Sequence, residues 1–276
     1  MKKLLITDLD DTLYDWLGFF VPSFYAMVDE VANITGIQKQ ILIKEYKEKH
    51  QYYGSVEYPF VTLELPSIVS KYENLNRSEI KARLEEAFHK FNSVRKEKLR
   101  LYEGVEETLK KLYNDGITII GYTESSQENG FYRLEKLGVA QYFKYVYASD
   151  SRYESKYPIS KKIKLVNAKK PNKEVLLNIC RDENCSVNSA IYVGDSLTKD
   201  IYMAGLAGIT SVLLKHTTEN NNLYEMLVDI TSWTEKDFEI EARIKKDYLQ
   251  SNMKPDHIIE NYSGLIDIFY KCNSFA

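Results

Sequence analysis

Short, uninterrupted apolar runs alternate along the chain with longer stretches of helical periodicity. The runs are Leu4-Leu5-Ile6, Ile117-Thr118-Ile119-Ile120, Tyr145-Val146-Tyr147, Ala190-Ile191-Tyr192-Val193 and Ser211-Val212-Leu213-Leu214. Their polarity does not alternate, which predicts strands covered on both faces. Between them, Val105 to Tyr113, Phe131 to Leu137 and Asn172 to Asn178 have helical spacing, the first ended by Asn114-Asp115-Gly116 and the second by Gly138. Strand and helix in alternation predict βαβ units and a parallel sheet.

Two stretches break the rhythm. Roughly ninety residues separate the first strand from the second, far beyond a normal βα connection. Within that gap Phe24, Met27, Val28 and Val31 are spaced as on one helix, and so are Ile80, Leu84, Phe88 and Phe91. A separate helical domain is expected here. Its middle, Gln51 to Phe60, is an aromatic loop punctuated by Gly54 and Pro59. The aromatics have two readings, packing of the small domain or contact with a substrate, with Lys49, His50, Tyr52, Tyr53 and Tyr58 as candidates. The second anomaly, His216 to Asn252, is polar and Asn-rich before turning helical around Glu235 to Leu249. A short edge strand at Pro255 to Ile259 and a helix through Leu265, Ile266 and Phe269 are expected after it.

The chain has 276 residues, 44% of them hydrophobic and 13% aromatic, which is ample for a large core. Lys+Arg 37 against Asp+Glu 40 gives a net charge of −3, so no global positive field favours nucleic acid. The three cysteines, Cys180, Cys185 and Cys272, form neither a disulfide framework nor a CxxC metal pair and read as ordinary thiols of a reducing compartment. The apolar start at Leu4 is cut by Asp8, Asp10 and Asp11, too early for a signal peptide. No apolar run approaches the ~20 residues of a membrane-spanning helix. A cytoplasmic protein without membrane or nucleic-acid partners is expected.

The chemistry-bearing residues follow the strands. In Asp8-Leu9-Asp10-Asp11-Thr12 the first two carboxylates are two residues apart on an extended chain, so they face the same side at the carboxyl end of a strand, where open α/β sheets bind ligands. Such a pair needs a cation or a shared proton. One member is suited to nucleophilic attack on phosphorus and the other to general acid and base work; an acidic loop cap is the plainer alternative. Gly194-Asp195-Ser196-Leu197-Thr198-Lys199-Asp200 repeats the theme after another strand, with oxygen ligands suited to Mg²⁺. Asp200 has a second reading as a residue favoured by a helix dipole.

Taken in order, Asp8-x-Asp10-x-Thr12, Thr123 after the second strand, Lys170-Pro171 and Gly194-Asp195-Ser196-x-x-x-Asp200 resemble the four motifs of the haloacid dehalogenase superfamily, over residues 4 to about 214. The resemblance implies an α/β fold whose core, residues 1–14 and 101–276, is a Rossmann-like doubly wound parallel sheet, with residues 15–100 as an inserted α-helical cap of the C1 type. It implies Asp8 as nucleophile and Mg²⁺ ligand, and Asp10 as general acid/base that also offers its backbone carbonyl to the metal. Asp195 and Asp200 would complete the metal site. Thr123, Glu124 and Lys170 would contact the phosphoryl group. Ser125 competes with Thr123, whose hydroxyl could otherwise cap the next helix, and Lys169 and Lys173 compete with Lys170.

Dehalogenases and phosphonatases of that superfamily lack the second aspartate, whereas Asp10 is present here. The implied activity is a Mg²⁺-dependent phosphohydrolase acting on a small phosphorylated metabolite through an aspartyl-phosphate. A phosphomutase using the same site and a non-catalytic binding protein on the same scaffold are the alternatives. The stretched segment Asp150 to Ala168 and the insertion His216 to Asn252 depart from the superfamily's pattern.

Overall fold

A computed structural model of the chain describes residues 2–58, 60–150, 160–215 and 221–271. Pro59, His216, Cys272 and residues 151–159 of the stretched segment before Lys170 lie outside the described residues. Contacts divide the chain into two compact units: Met1–Asp15, Arg100–Thr218 and Ala242–Ala276 form one, and Trp16–Leu99 with Glu219–Glu241 the other.

The first unit is built on a parallel seven-stranded sheet. Its strands are β1 (Leu4–Thr7), β2 (Thr118–Ser126), β3 (Tyr145–Ser149), β4 (Ile163–Leu165), β5 (Ala190–Gly194), β6 (Thr210–Leu214) and β7 (His257–Ile259). Their order is β4-β3-β2-β1-β5-β6-β7. The chain therefore grows outward on one side of β1 and then returns to its other side at β5, which makes the β1/β5 boundary the switch point where ligands bind in such sheets. All of β1 and β5 is buried. That is why their apolar runs are continuous. Leu4, Ile6, Ile120 and Tyr192 on one sheet face pack against Leu176 and Ile179 of the helix Lys173–Asp182 and Met203 and Ala204 of the helix Tyr202–Ala207.

Registry places the strand ends side by side. Thr7 of β1 lies opposite Gly121 of β2 and Val193 of β5. The residues that follow, Asp8, Tyr122-Thr123 and Gly194-Asp195, therefore emerge together. Two strands depart from the sequence reading. β2 continues six residues past Ile120, through polar Thr123 to Ser126. β4 is a short, partly exposed edge strand. The helix expected from Phe131 begins at Gln127, where Ser126 caps it by accepting from the Asn129 N–H, and ends in Gly138 at φ 74°. No helix among the described residues is long and apolar enough to cross a membrane.

The second unit is helical. Its longest helix, Trp16–Thr35, buries Phe19, Phe20, Phe24, Met27, Val28 and Val31. Phe20 meets Phe91 of the helix Glu85–Lys98 edge-on, with ring centroids 6.4 Å apart, and Phe24 meets Tyr46 of the helix Lys39–Tyr53 at 4.8 Å. The run Ile80 to Phe91 spans two helices, Arg77–Arg83 and Glu85–Lys98, with buried Leu84 between them.

From the sequence, residues 101–276 are all expected in the sheet unit. Instead Glu219–Glu241 packs with the helical unit. Three hydrogen bonds fasten it there: Tyr25 OH to Met226 O at 2.9 Å, His50 Nδ1 to Ile230 O at 2.7 Å, and Gln51 Nε2 to Trp233 O at 2.9 Å. His50 is thus a buried packing residue, 1% exposed, rather than an open substrate contact. Tyr53 and Tyr58 stack in parallel with centroids 3.7 Å apart, and Tyr52 stands 80% exposed.

Candidate active site

A cavity of about 280 Å³ opens at the carboxyl ends of β1, β2 and β5. All seven residues singled out in the sequence, Asp8, Asp10, Thr123, Glu124, Lys170, Asp195 and Asp200, line it, joined by Asp11, Ser196 and Lys199. It lies just below the 300–1,000 Å³ or so typical of sites for drug-sized ligands, a size for a small charged group.

Asp8 follows β1 directly, its N–H bound to Val193 O of β5 at 2.9 Å. Lys170 Nζ lies 2.6 Å from Asp8 Oδ1 and 2.9 Å from Asp200 Oδ1. The ammonium also sits over the rings of Tyr122 and Tyr192, 5.0 and 5.6 Å from their centroids. The competing lysines, Lys169 and Lys173, are exposed. Burial opposes the charge on Lys170, but Asp200, Asp8 and Tyr192 outweigh it and hold its pKa well above the usual lysine value. Burial likewise pushes the Asp8 carboxyl up against the lowering pull of Lys170, and pushes Asp195 up with Asp200 and Asp8 adding to the effect.

Asp200 is not a solvated helix-end residue. It lies in a π-turn, Leu197–Ile201, and turns inward to accept from Lys170 Nζ and from Tyr192 OH at 2.7 Å on Oδ1, and from the Ser196 N–H at 3.1 Å on Oδ2. Gly194 is required beside it, because a Cβ there would overlap the Asp200 side chain. Lys199 Nζ pairs with Glu124 Oε2 at 3.0 Å, while Glu124 Oε1 accepts the Lys170 N–H at 3.1 Å. Glu124 therefore anchors the backbone that carries Lys170.

Asp10 faces other partners. Thr123 Oγ1 and Ser125 Oγ both donate to its Oδ2, at 3.1 and 2.7 Å. The two hydroxyls that competed in the sequence thus serve one carboxylate, and the helix cap considered for Thr123 belongs to Ser126. Arg133 Nη1 and Tyr14 OH bind Asp10 Oδ1 at 2.8 and 2.9 Å. Sequence reasoning missed Arg133, Tyr14, Tyr192 and Lys199. For Arg133 there was a signal: it stands between Phe131 and Leu134 on the apolar face of its helix, and a buried arginine needs a partner.

Carboxylate oxygens of Asp8, Asp195 and Asp200 all lie within 4.8 Å of one another. The Asp10 carboxylate is not part of this group. Three carboxylates against the buried ammonium of Lys170 leave surplus negative charge on hard oxygen donors, which suits a small divalent cation.

A model of the haloacid dehalogenase-like hydrolases matches residues 5–214. The chain belongs to that family. Glyceraldehyde 3-phosphate phosphatase of Methanopyrus kandleri is 26% identical over 219 residues, covering 78% of this chain and 84% of that protein. Among solved structures, a phosphatase of the same family from Thermococcus onnurineus has a TM-score of 0.59 at 19% identity, covering 98% of each chain. A 2-haloacid dehalogenase from Pseudomonas syringae pv. Tomato DC3000 has 0.57 at 21%, covering 99% of this chain and 100% of that one. These likenesses fix the fold of a family that contains more than one chemistry, so the choice within it rests on the residues at the strand ends.

Proposed function

We propose that this hydrolase is a Mg²⁺-dependent phosphatase that cleaves small phosphate monoesters through an aspartyl-phosphate on Asp8. The observation that carries the reading is the pairing of Lys170 with Asp8 at 2.6 Å while a second carboxylate, Asp10, lines the same cavity. A carboxylate held by an ammonium is restrained for in-line attack. The cation also balances charge on the phosphoryl oxygens. A second carboxylate is what an alkoxide leaving group requires, since that oxygen must gain a proton as the P–O bond breaks.

In this mechanism an Asp8 oxygen attacks phosphorus and Asp10 gives its proton to the departing alcohol. Asp10, now anionic, takes a proton from the water that attacks the phosphorus of the aspartyl-phosphate, releasing inorganic phosphate and restoring Asp8. Lys170 orients the phosphoryl oxygens, Thr123 joins it by turning its one hydroxyl proton from Asp10 to the phosphoryl group, and Glu124 steadies Lys170. Asp8 and Asp195, with Asp200 and the Asp10 carbonyl, would hold Mg²⁺, which supplies positive charge opposite the phosphoryl oxygens. The helical unit is inserted directly after the Asp8–Tyr14 loop, and this point of insertion supports a role for it in selecting the alcohol.

The name of the Methanopyrus relative supports a small phosphorylated substrate. A panel of sugar, triose, acid and aryl phosphates, assayed for inorganic phosphate with Mg²⁺ and with EDTA, tests the reading. Metal-dependent release from at least one ester is expected. No release from any, or full release in EDTA, would overturn it.

A further inference from the structure

Both carboxylate oxygens of Asp10 are bound by side chains, two on each. Oδ1 accepts from Arg133 Nη1 at 2.8 Å and Tyr14 OH at 2.9 Å; Oδ2 accepts from Ser125 Oγ at 2.7 Å and Thr123 Oγ1 at 3.1 Å. Arg133 Nη1 also reaches Ser125 Oγ at 3.1 Å. All four partners donate to the Asp10 anion; when Asp10 carries its proton, that proton belongs on Oδ2, where the hydroxyls of Thr123 and Ser125 can turn away or accept, while Arg133 keeps its hold on Oδ1. Asp10 itself sits in a tight turn: Asp11 has φ 54°, and its N–H binds Tyr14 O at 3.0 Å, which folds Tyr14 back over Asp10.

The four donors differ in what they can fix. Hydroxyls rotate about their C–O bonds and follow the carboxylate wherever it turns. Arg133 does not: its planar guanidinium presents N–H groups in fixed directions. It is only 5% exposed, on the helix Gln127–Lys136, between Phe131 and Leu134, which are buried with it. Burying a guanidinium is costly without a partner, and the same helix exposes Lys136 at no such cost. Its direction is therefore set by the packing of a helix rather than by the loop it grips.

We propose that Arg133, supported by Tyr14, is a positioning residue that fixes the Asp10 carboxylate for proton transfer to the leaving oxygen. The inference rests on the phosphatase reading above. Proton transfer depends on heavy-atom placement to within a few tenths of an ångström, and a displacement of about 1 Å can cost on the order of 100-fold in rate. Arg133 binds Asp10 and Ser125, whereas Lys170 binds the nucleophile Asp8 and Asp200, so the loss of Arg133 should act on protonation rather than on attack.

That distinction is measurable with the full-length protein and Mg²⁺. The value of kcat/KM is compared for p-nitrophenyl phosphate, whose leaving group needs little protonation, and for the alkyl phosphate of the panel that the wild type hydrolyses fastest. Arg133→Met should lose roughly 10- to 100-fold on the alkyl ester and less than about threefold on the aryl ester. Arg133→Lys should recover part of the alkyl rate, because it keeps the charge without the fork. In an Asp10→Asn background, Arg133→Met should leave the alkyl-to-aryl ratio unchanged, since there is no acid left to position.

An equal fall on both esters, or an additive loss in the Asp10→Asn background, would overturn the proposal in favour of a structural role. Should Arg133→Met lose its folded circular dichroism spectrum, Tyr14→Phe decides the matter: it removes one hydroxyl and should give the same selective loss in smaller measure, whereas an unselective loss refutes it. If instead Asp10→Asn itself leaves the ratio unchanged, the assignment of Asp10 fails, and the positioning role with it.

Discussion

Tyr192 OH donates to Asp200 Oδ1 at 2.7 Å, on the oxygen that also takes Lys170 Nζ. The phenol comes from the middle of β5, fully buried, and burial with the neighbouring Asp200 charge holds its pKa well above the usual tyrosine value. It thus stays a donor at any working pH. Tyr192→Phe keeps the ring over Lys170 and removes only this bond. Hydrogen bonds to charged groups contribute about 1.5–3 kcal/mol, so the variant should unfold at lower urea with a loss of that size. A loss below about 0.5 kcal/mol, the usual range of surface changes, would mean that Asp200 is satisfied without the phenol.

His50 provides a pH dependence with a defined sign. Burial lowers its pKa from 6.5 to about 4, although the hydrogen bond to the Ile230 carbonyl pulls the other way. The folded protein therefore binds a proton here less readily than the unfolded chain. Stability from this group is complete above pH 6.5 and falls as the pH drops toward 4, where the difference saturates. By pH 5 the cost relative to pH 8 should be about 2 kcal/mol. The measurement is the difference between wild type and His50→Gln in urea unfolding at each pH. That difference should shrink between pH 7 and pH 5, and a constant difference would show that His50 is not held neutral. Since the imidazole bonds Ile230, acid should also loosen the segment 219–241 from the helical unit, seen as faster amide exchange at its helix Asn221–Asp229.

Much of the sheet was legible because β1, β3, β5 and β6 are buried on both faces and so write themselves as unbroken apolar runs. β4 did not, since a three-residue edge strand containing Lys164 leaves no run to find. The reach of β2 past Ile120 was hidden because Thr123 and Glu124, which line the cavity, and Ser125, which binds Asp10, are polar, and polarity reads as a loop. The acidic pairs were visible from spacing alone. Spacing alone did not separate Lys170 from Lys169 and Lys173; the Lys170-Pro171 pair did so only through the family resemblance, because burial of one lysine among three leaves no mark in a local basic cluster. The placement of residues 219–241 was out of reach, because Tyr25, His50 and Gln51, which bind them, lie roughly 180–200 positions away and local pattern carries no trace of such pairing.

Removing metal should separate the roles of the two strand-end carboxylates. Asp195 is pushed to a raised pKa by burial and by Asp200 and Asp8, a cost that a bound divalent cation would relieve. Activity should vanish in EDTA and return with Mg²⁺. Asp195→Asn removes one anionic oxygen from the group, so it should need more Mg²⁺ for half-maximal rate while its apo form becomes more stable to urea than the wild type. An unchanged Mg²⁺ requirement in Asp195→Asn would place the metal elsewhere. The stability measurement is independent of activity and reports the relief of carboxylate crowding directly.

The two-carboxylate assignment is tested by separating the two chemical steps. Asp8→Asn removes the nucleophile, so neither a phosphoenzyme nor turnover should survive. Asp10→Asn leaves Asp8 and its Lys170 partner intact but removes the proton donor of the first step and the base of the second, each of which contributes roughly 10²–10⁴-fold when a typical general acid–base group is lost. With p-nitrophenyl phosphate the first step needs little protonation, whereas the second still needs water activated. The Asp10→Asn variant should therefore release a burst of nitrophenolate and then stall, with a phosphate mass increment on the peptide containing Asp8 after acid quench. Wild type should release inorganic phosphate in proportion to the alcohol, while a mutase would return the group to a second hydroxyl and release little. Normal turnover by Asp10→Asn would remove Asp10 from the mechanism, and a phosphate increment on any peptide other than that of Asp8 would move the nucleophile.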